Sequence, residues 1–335
     1  AALAALERTY FLTLLGGAFL FLLKNTLASY FSGIGRTRVV MICDVIGVCL
    51  NVPLSYVLIF GKLGLPALGI AGAALGTVIA AAFTIGLYAL FYFNAVHAGQ
   101  FRVRESFQLD RGILRRFLRL GFPSGLEVFI GVGTFNLFLL LYQAYGVAEG
   151  AAMAIVFNWD MLSFVPLMGL NISVMSLIGR YVGAGDLSRA TQVISAGLLI
   201  GLGYSGVLAL CFLLFRVPLL EVFATPGADF APILAVGQPM MVGMACYVMA
   251  DAVILVCGGT LRGAGDTRWM MGTSIAVHVA MLLMQLWLIL GLAVGPLVSW
   301  WAFVATLIAN AVLYGWRVLG GYWRHPDRLA RVLAD

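Results

Sequence analysis

Residues 235–268 read AVGQPMMVGMACYVMADAVILVCGGTLRGAGDTR. The stretch 235–258 carries a single charged side chain, Asp251, and ends in a Gly-rich basic turn before a new apolar run begins. A helix that crosses a hydrocarbon layer about 30 Å thick needs roughly 20 mostly apolar residues. Eight further runs meet that requirement. In order, the nine span 10–32, 39–60, 69–93, 121–145, 151–178, 190–215, 235–258, 270–291 and 297–317. The runs are solid rather than alternating, which favours helices over a barrel. The expected fold class is an all-α polytopic membrane protein.

Composition agrees. Of 335 residues, 62% are apolar and 10% charged, against about 25% charged in a soluble domain. Mean hydropathy is +1.03. A water-soluble enzyme, a disordered chain and a disulfide-stapled secreted module are all excluded. Cys43, Cys49, Cys211, Cys246 and Cys257 lie inside apolar runs without metal-like spacing and read as packing residues.

The net charge of +6 comes from 18 Arg and 2 Lys, mostly in short loops. Sixteen of them fall on one side of the nine spans, in the loops around 36–38, 102–119, 180–189, 262–268 and 317–331. Arg8, Lys62 and Arg216 fall on the other, and Lys24 lies within a span. That asymmetry marks the rich side as cytoplasmic, with the C-terminus there, and argues against a nucleic-acid partner. The basic stretch 94–120 reads as a linker. Its segment SFQLDRGILRRFLRL, 106–120, is amphipathic, and a short helix along the membrane surface is expected.

The turn Gly33-Ile-Gly-Arg-Thr-Arg38 returns as Gly263-Ala-Gly-Asp-Thr-Arg268. The offset of 230 continues without a gap: Met41 matches Met271, and Leu58-Ile-Phe-Gly61 matches Leu288-Ile-Leu-Gly291. Such a repeat implies two related bundles, here parallel about an axis along the membrane normal. In the second copy 142 residues separate Gly121 from Gly263, whereas 32 precede Gly33. The first copy is therefore short by about 110 residues, enough for three spans. The expectation is a twelve-helix parent that lacks three N-terminal helices here. Its divisions are a partial N-lobe at 1–93, the linker at 94–120, a C-lobe at 121–318 and a cytoplasmic tail at 319–335.

Four segments, in this order, carry a family resemblance: Leu50-NVPLSYVLIFGKLGLPALGIAGAALGT, Gly121-FPSGLEVF, Pro166-LMGLNISVMSLIGRYVGAGD and Leu261-RGAGDT. Together they resemble the multidrug and toxic compound extrusion (MATE) family of secondary transporters. The resemblance implies two six-helix lobes around a cavity. It also implies export of organic, often cationic, compounds by antiport with H⁺ or Na⁺, and the expected location is the cell inner (plasma) membrane. It implies no cofactor and a monomer.

Asp251 lies 11 residues before Arg262, about 16 Å along a helix and close to the midplane. A carboxylate there costs at least ~2.5 kcal/mol on insertion scales and is a functional candidate by default. Tyr247, four residues earlier, shares its helix face. By resemblance Asp251 binds the coupling cation, with Na⁺ a possible occupant, and Tyr247 lines the site. The family carries a Glu eight residues after the Pro of the Gly-x-Pro start, where this chain has Gly131. Glu127, one turn earlier, either supplies a shifted carboxylate for cation coupling or favours the positive end of its helix. Asp160 and Asn158, with Asn136 on the preceding helix, are candidates for the substrate cavity, and a place in the proton relay is the other functional reading of Asp160. The alternative for Asp160 is a structural pairing with Asn136 or Gln143. Lys24 and Asp44 flank the 33–38 turn on neighbouring antiparallel helices and are expected to meet as a structural ion pair. His278 reads as a packing residue. Phe129, Phe135 and Phe157 are among many aromatics suited to cation–π contact, though core packing is commoner. Gly72-AAL-Gly76 reads as a small-residue seam.

A lipid-linked oligosaccharide flippase of the same superfamily is the alternative. It would want cationic residues in the cavity, and only Lys24 answers. No Walker A loop, hydrolase triad or metal cluster is present in the sequence, which argues against an enzyme or an ATP-driven pump.

Overall fold

The computed structural model describes residues 2–101, 103, 110–224 and 229–324, without the side chains of 2–5 and 96. The described residues form helices α1 (Ala2–Gly16), α2 (Ala18–Gly33), α3 (Thr37–Phe60), α4 (Gly69–Tyr92), α5 (Ala95–Gln100) and α6 (Arg111–Gln143). They continue with α7 (Val147–Gly183), α8 (Leu187–Leu214), α9 (Arg216–Glu221), α10 (Ala231–Gly263), α11 (Thr267–Leu286) and α12 (Pro296–Leu319), with no strand among them. Eight helices are long and apolar enough to cross a membrane, and the α1/α2 pair makes a ninth if counted as one span. The fold is an all-α polytopic membrane fold. The chain divides into two compact units, 1–110 and 111–335.

Within the first unit, the run expected at 10–32 is broken. α1 and α2 meet at a 48° bend. Hydropathy is blind to the cause: Gly16-Gly17 weakens the helix there, and Gly17 lies so close to α4 that a Cβ would sit 2.5 Å from Val78. α3 and α4 pack tightly along a seam of small residues. A Cβ on Gly72 would fall 2.5 Å from the Leu58 carbonyl oxygen, so the backbones approach only because it is glycine.

In the second unit α10 is the central helix, much the most buried of the candidate spans. It packs on α7, α8, α9 and α12, while α6 pairs with α11. The approach of α10 to α7 depends on Gly263, whose Cβ would stand 2.6 Å from the Met175 carbonyl oxygen. Asn171 of α7 hydrogen-bonds the Leu255 carbonyl of α10, tying the two helices at the same level.

The repeated turn has the same geometry in both copies. Gly35 and Gly265 are left-handed, at φ +77° and +76°. Arg36 N–H donates to Phe31 O at 2.8 Å, and Asp266 N–H to Leu261 O at 2.7 Å, the six-to-one bond that closes a helix C-terminus on a glycine. A third copy joins α7 to α8. Gly183-Ala-Gly-Asp186 repeats Gly263-Ala-Gly-Asp266 letter for letter, with Gly185 at φ +76° and Asp186 N–H on Tyr181 O at 2.9 Å.

The surface helix expected over 106–120 is not separate. Residues 106–109 lie outside the described residues, and Arg111 onward is already the first part of α6, which runs unbroken through Pro123. Arg102, Arg104 and the tail from 325, with Arg328 and Arg331, also lie outside the described residues.

Candidate functional site

The site is built on α7 and α10. Tyr247 and Asp251 stand one turn apart on α10, and Asp160 of α7 lies within electrostatic reach of both. Tyr247 is fully buried. Its ring meets Trp300 edge-on at 6.0 Å and Phe303 at 5.9 Å, both on α12. Phe157 of α7 closes on the same two rings at 5.8 and 6.1 Å. This packing sets Tyr247 within electrostatic reach of the Asp160 carboxyl. Asp160 Oδ1, Tyr247 Oη and Trp300 Nε1 are all buried and unpartnered. Asp251 keeps some accessible surface within this shell. No ion-pair partner stands against either carboxylate among the described residues.

Asn158 is not part of this cluster. Residues two apart on a helix point about 200° apart, and Asn158 is exposed, its amide donating to the Ala154 carbonyl of its own helix at 2.8 Å. Asn136 is also exposed and donates to Val132 O at 2.8 Å. The expected alternative pairing of Asp160 with Asn136 or Gln143 is therefore not formed; its neighbours are Tyr247 and Asp251. Phe135 and Phe157 join the aromatic cluster at 5.1 Å from each other, whereas Phe129 is 75% exposed.

Glu127 is corrected. Its two carboxylate oxygens each accept from the same Arg262 nitrogen at 3.1 Å. It is held near the Arg262 end of α10, about 16 Å along the axis from Asp251. A carboxylate already neutralised there does not complete the Asp251 site. The Gly131 notch, where the resemblance would set a Glu, faces His278: a Cβ would sit 3.6 Å from its Nε2. The ring's Nδ1 lies 2.7 Å from Ser274 O on the preceding turn, a packing arrangement.

Two further charged clusters lie at helix ends. Asp266, fully buried, pairs with Arg317 of α12 at 3.0 Å, and the guanidinium lies 5.0 Å from the Trp269 ring and 4.6 Å from the Tyr322 ring. In the first unit Arg36 donates to His97 Nδ1 at 2.9 Å and to Gln100 Oε1 at 2.8 Å. Arginine can only donate, so Nδ1 accepts and the proton sits on Nε2, facing Tyr30 Oη at 3.0 Å. Burial first, and then the Arg36 charge, hold the His97 pKa below its ordinary value. Neither cluster has a local sequence signature. Also in the first unit, Lys24 Nζ lies 3.1 Å from Asp44 Oδ1, with both side chains partly exposed.

Stacked apolar helices long enough to cross a bilayer define a multi-pass membrane protein. A family model described as MatE matches residues 123–287. The chain is 30% identical to the probable multidrug resistance protein NorM of Pasteurella multocida, over 84% of this chain and 61% of that protein. It is 27% identical to the probable multidrug resistance protein NorM of Thermotoga maritima, over 97% and 69%. The chain thus spans about two thirds of the length of these relatives. The fold is similar to that in a crystal structure of MATE in complex with MaL6 (TM-score 0.82, 19% identity, 98% of this chain and 70% of that one). It is also similar to a MOP superfamily transporter from Pyrococcus furiosus described as having a binding pocket of reverse polarity (TM-score 0.81, 19% identity, 97% and 70%). The chain belongs to the multidrug and toxic compound extrusion family.

Proposed function

We propose that the protein is a secondary transporter that exports organic, often cationic, compounds across the inner membrane by antiport with H⁺ or Na⁺, alternating between two lobes. The observation that carries this reading is Asp251: a mid-span carboxylate on the central helix, one turn from Tyr247, with no basic residue neutralising it among the described residues. Such a group must take a cation from solution, and it drives a conformational change only through a difference in affinity between two states. The multidrug resistance names of the relatives support the substrate class. The charge asymmetry of the loops supports a cytoplasmic C-terminus. Tyr247 shapes the cation site in this reading, and Asn136 and Asn158 are accessible polar groups on α6 and α7 available to substrate. Glu127 serves structure. The flippase reading is weakened further, because Lys24, its one supporting cation, is neutralised by Asp44.

The test is uptake of a fluorescent organic cation into proteoliposomes carrying the full-length protein, with Na⁺ and pH gradients imposed separately. Wild type should respond to one of them. Asp251→Asn should express and fold but lose gradient-driven exchange; normal exchange in that variant would remove Asp251 from the mechanism.

A further inference from the structure

We infer that Asp160 is the second half of the coupling site, so that the α7–α10 carboxylate pair takes up two monovalent cations in each transport cycle. This rests on the reading of Asp251 given above and extends it to a residue on another helix.

The geometry is the argument. α7 packs on α10, and Asp160 of α7 stands within electrostatic reach of Asp251 and Tyr247 of α10. Asp160 Oδ1 and Tyr247 Oη are buried without a hydrogen-bond partner. A buried carboxylate oxygen left unsatisfied is costly, and a cation at the pair would satisfy both atoms.

The charged groups on the elements packed around the pair are committed elsewhere or lie at helix ends. On α10, Arg262 is bound to Glu127. On α12, Arg317 is bound to Asp266. On α7, Glu149 and Arg180 fall in the first and last turns. On α8, Arg189 pairs with Asp186 at the helix start. On α9, Arg216 and Glu221 are its terminal residues. On α6, Arg111, Arg115, Arg116 and Arg119 all precede Pro123. On α11, Arg268 is in the first turn and His278 is turned to Ser274. Tyr247 is the titratable group in contact. Two acids with no counter-charge in a low-dielectric span reach neutrality only with two positive charges. A site containing Asp251 alone would need one.

Ion count is measurable at equilibrium. With the membrane potential clamped at zero, the gradient of a monovalent cationic probe that just stops net flux equals the ion gradient raised to the number of ions exchanged. Each tenfold ion gradient then supports about a tenfold probe gradient for one ion and about 100-fold for two, since every 1.4 kcal/mol is tenfold. The experiment uses full-length protein in proteoliposomes, K⁺ with valinomycin as the clamp, tetraethylammonium as a monovalent probe that leaks only slowly through lipid, and whichever of H⁺ or Na⁺ drives wild type. Wild type should balance at about 100-fold per tenfold ion gradient, Asp160→Glu likewise, and Asp160→Asn at about tenfold. A structural role for Asp160 would change rates or yield but not this exponent. A wild-type balance at tenfold overturns the inference even if Asp160→Asn fails to fold. So does an Asp160→Asn balance equal to that of wild type. Normal coupled exchange in Asp251→Asn would instead remove Asp251 from the mechanism and with it the reading this inference rests on, so the two failures are distinguishable.

Discussion

Removing either partner of the Glu127–Arg262 pair should hurt unequally, and the inequality follows from exposure. The Glu127 side chain is 9% exposed and the Arg262 side chain 24%. Breaking a buried pair by deleting one partner costs about 3–5 kcal/mol because the other charge is stranded. Exposed pairs are worth about 1 kcal/mol or less. Arg262→Gln strands the more buried carboxylate, so its cost belongs in the buried range, about 3–4 kcal/mol. Glu127→Gln strands a guanidinium that can still reach water, and about 2 kcal/mol is expected. At about 2–4 °C per kcal/mol for units of 150–250 residues, these losses become about 6–16 °C and about 4–8 °C in melting temperature. The assay is thermal unfolding of purified protein in detergent, with the swap Glu127→Arg/Arg262→Glu as the restoring variant. In parallel, the ion dependence of exchange should be unchanged in Glu127→Gln. The reasoning is refuted if Glu127→Gln melts within a degree of wild type yet loses its response to the driving ion, for then Glu127 couples transport rather than fastening α6 to α10.

Two other outcomes follow from the helix-end clusters. Arg317→Leu removes the counter-charge of the fully buried Asp266 carboxylate and two aromatic contacts; it should cost about 3–5 kcal/mol, and adding Asp266→Asn should recover part of the lost melting temperature. His97 carries a depressed pKa in the folded state, so as pH falls through the unfolded-state value of about 6.5 the unfolded chain gains a proton first. Its contribution to stability is thus complete above that pH and is lost toward the folded pKa. Melting temperature should fall between pH 7.5 and 5, and His97→Gln should flatten that dependence; an unchanged slope in the variant would show that the Arg36–His97 bond is not its source.

The spans were legible in the sequence because a membrane forces every crossing to be apolar over a fixed length, and that requirement is local. What hydropathy misses is also physical. The bend at Gly17 leaves composition untouched. The start of α6 at Arg111 is polar helix, which a search for apolar runs ends too late. Asp251 and Tyr247 were readable together because four residues make one helical turn. The nearness of Asp160 to them is not local: 91 residues separate it from Asp251, and the packing of α7 on α10 brings it within their electrostatic reach. Arg262 as the partner of Glu127, at a separation of 135, is the same kind of fact. Two signals were present but unread. The four-letter repeat at Gly183 and Gly263 marks the third turn, and the two-residue offset of Asn158 from Asp160 already excludes a shared face.

The placement of charge in the second unit narrows where an ion can act. At the helix ends, Glu127 with Arg262, Asp266 with Arg317, and Asp186 with Arg189 are each neutralised within the protein. The first two fasten helices to one another, the third caps the start of α8, and none offers net charge to a passing cation. Asp160 and Asp251 are different: they lie within two spans, in electrostatic reach of one another and without an ion-pair partner among the described residues, and Asp160 Oδ1 is buried without a hydrogen bond. A protein under selection for stability alone would pair or delete them, since apolar replacements of buried ions are often stabilising. Their retention is intelligible if occupancy by an external ion completes the fold in one state and its loss opens another. The electrostatic cost of the empty pair is then the free energy that links ion movement to the rearrangement.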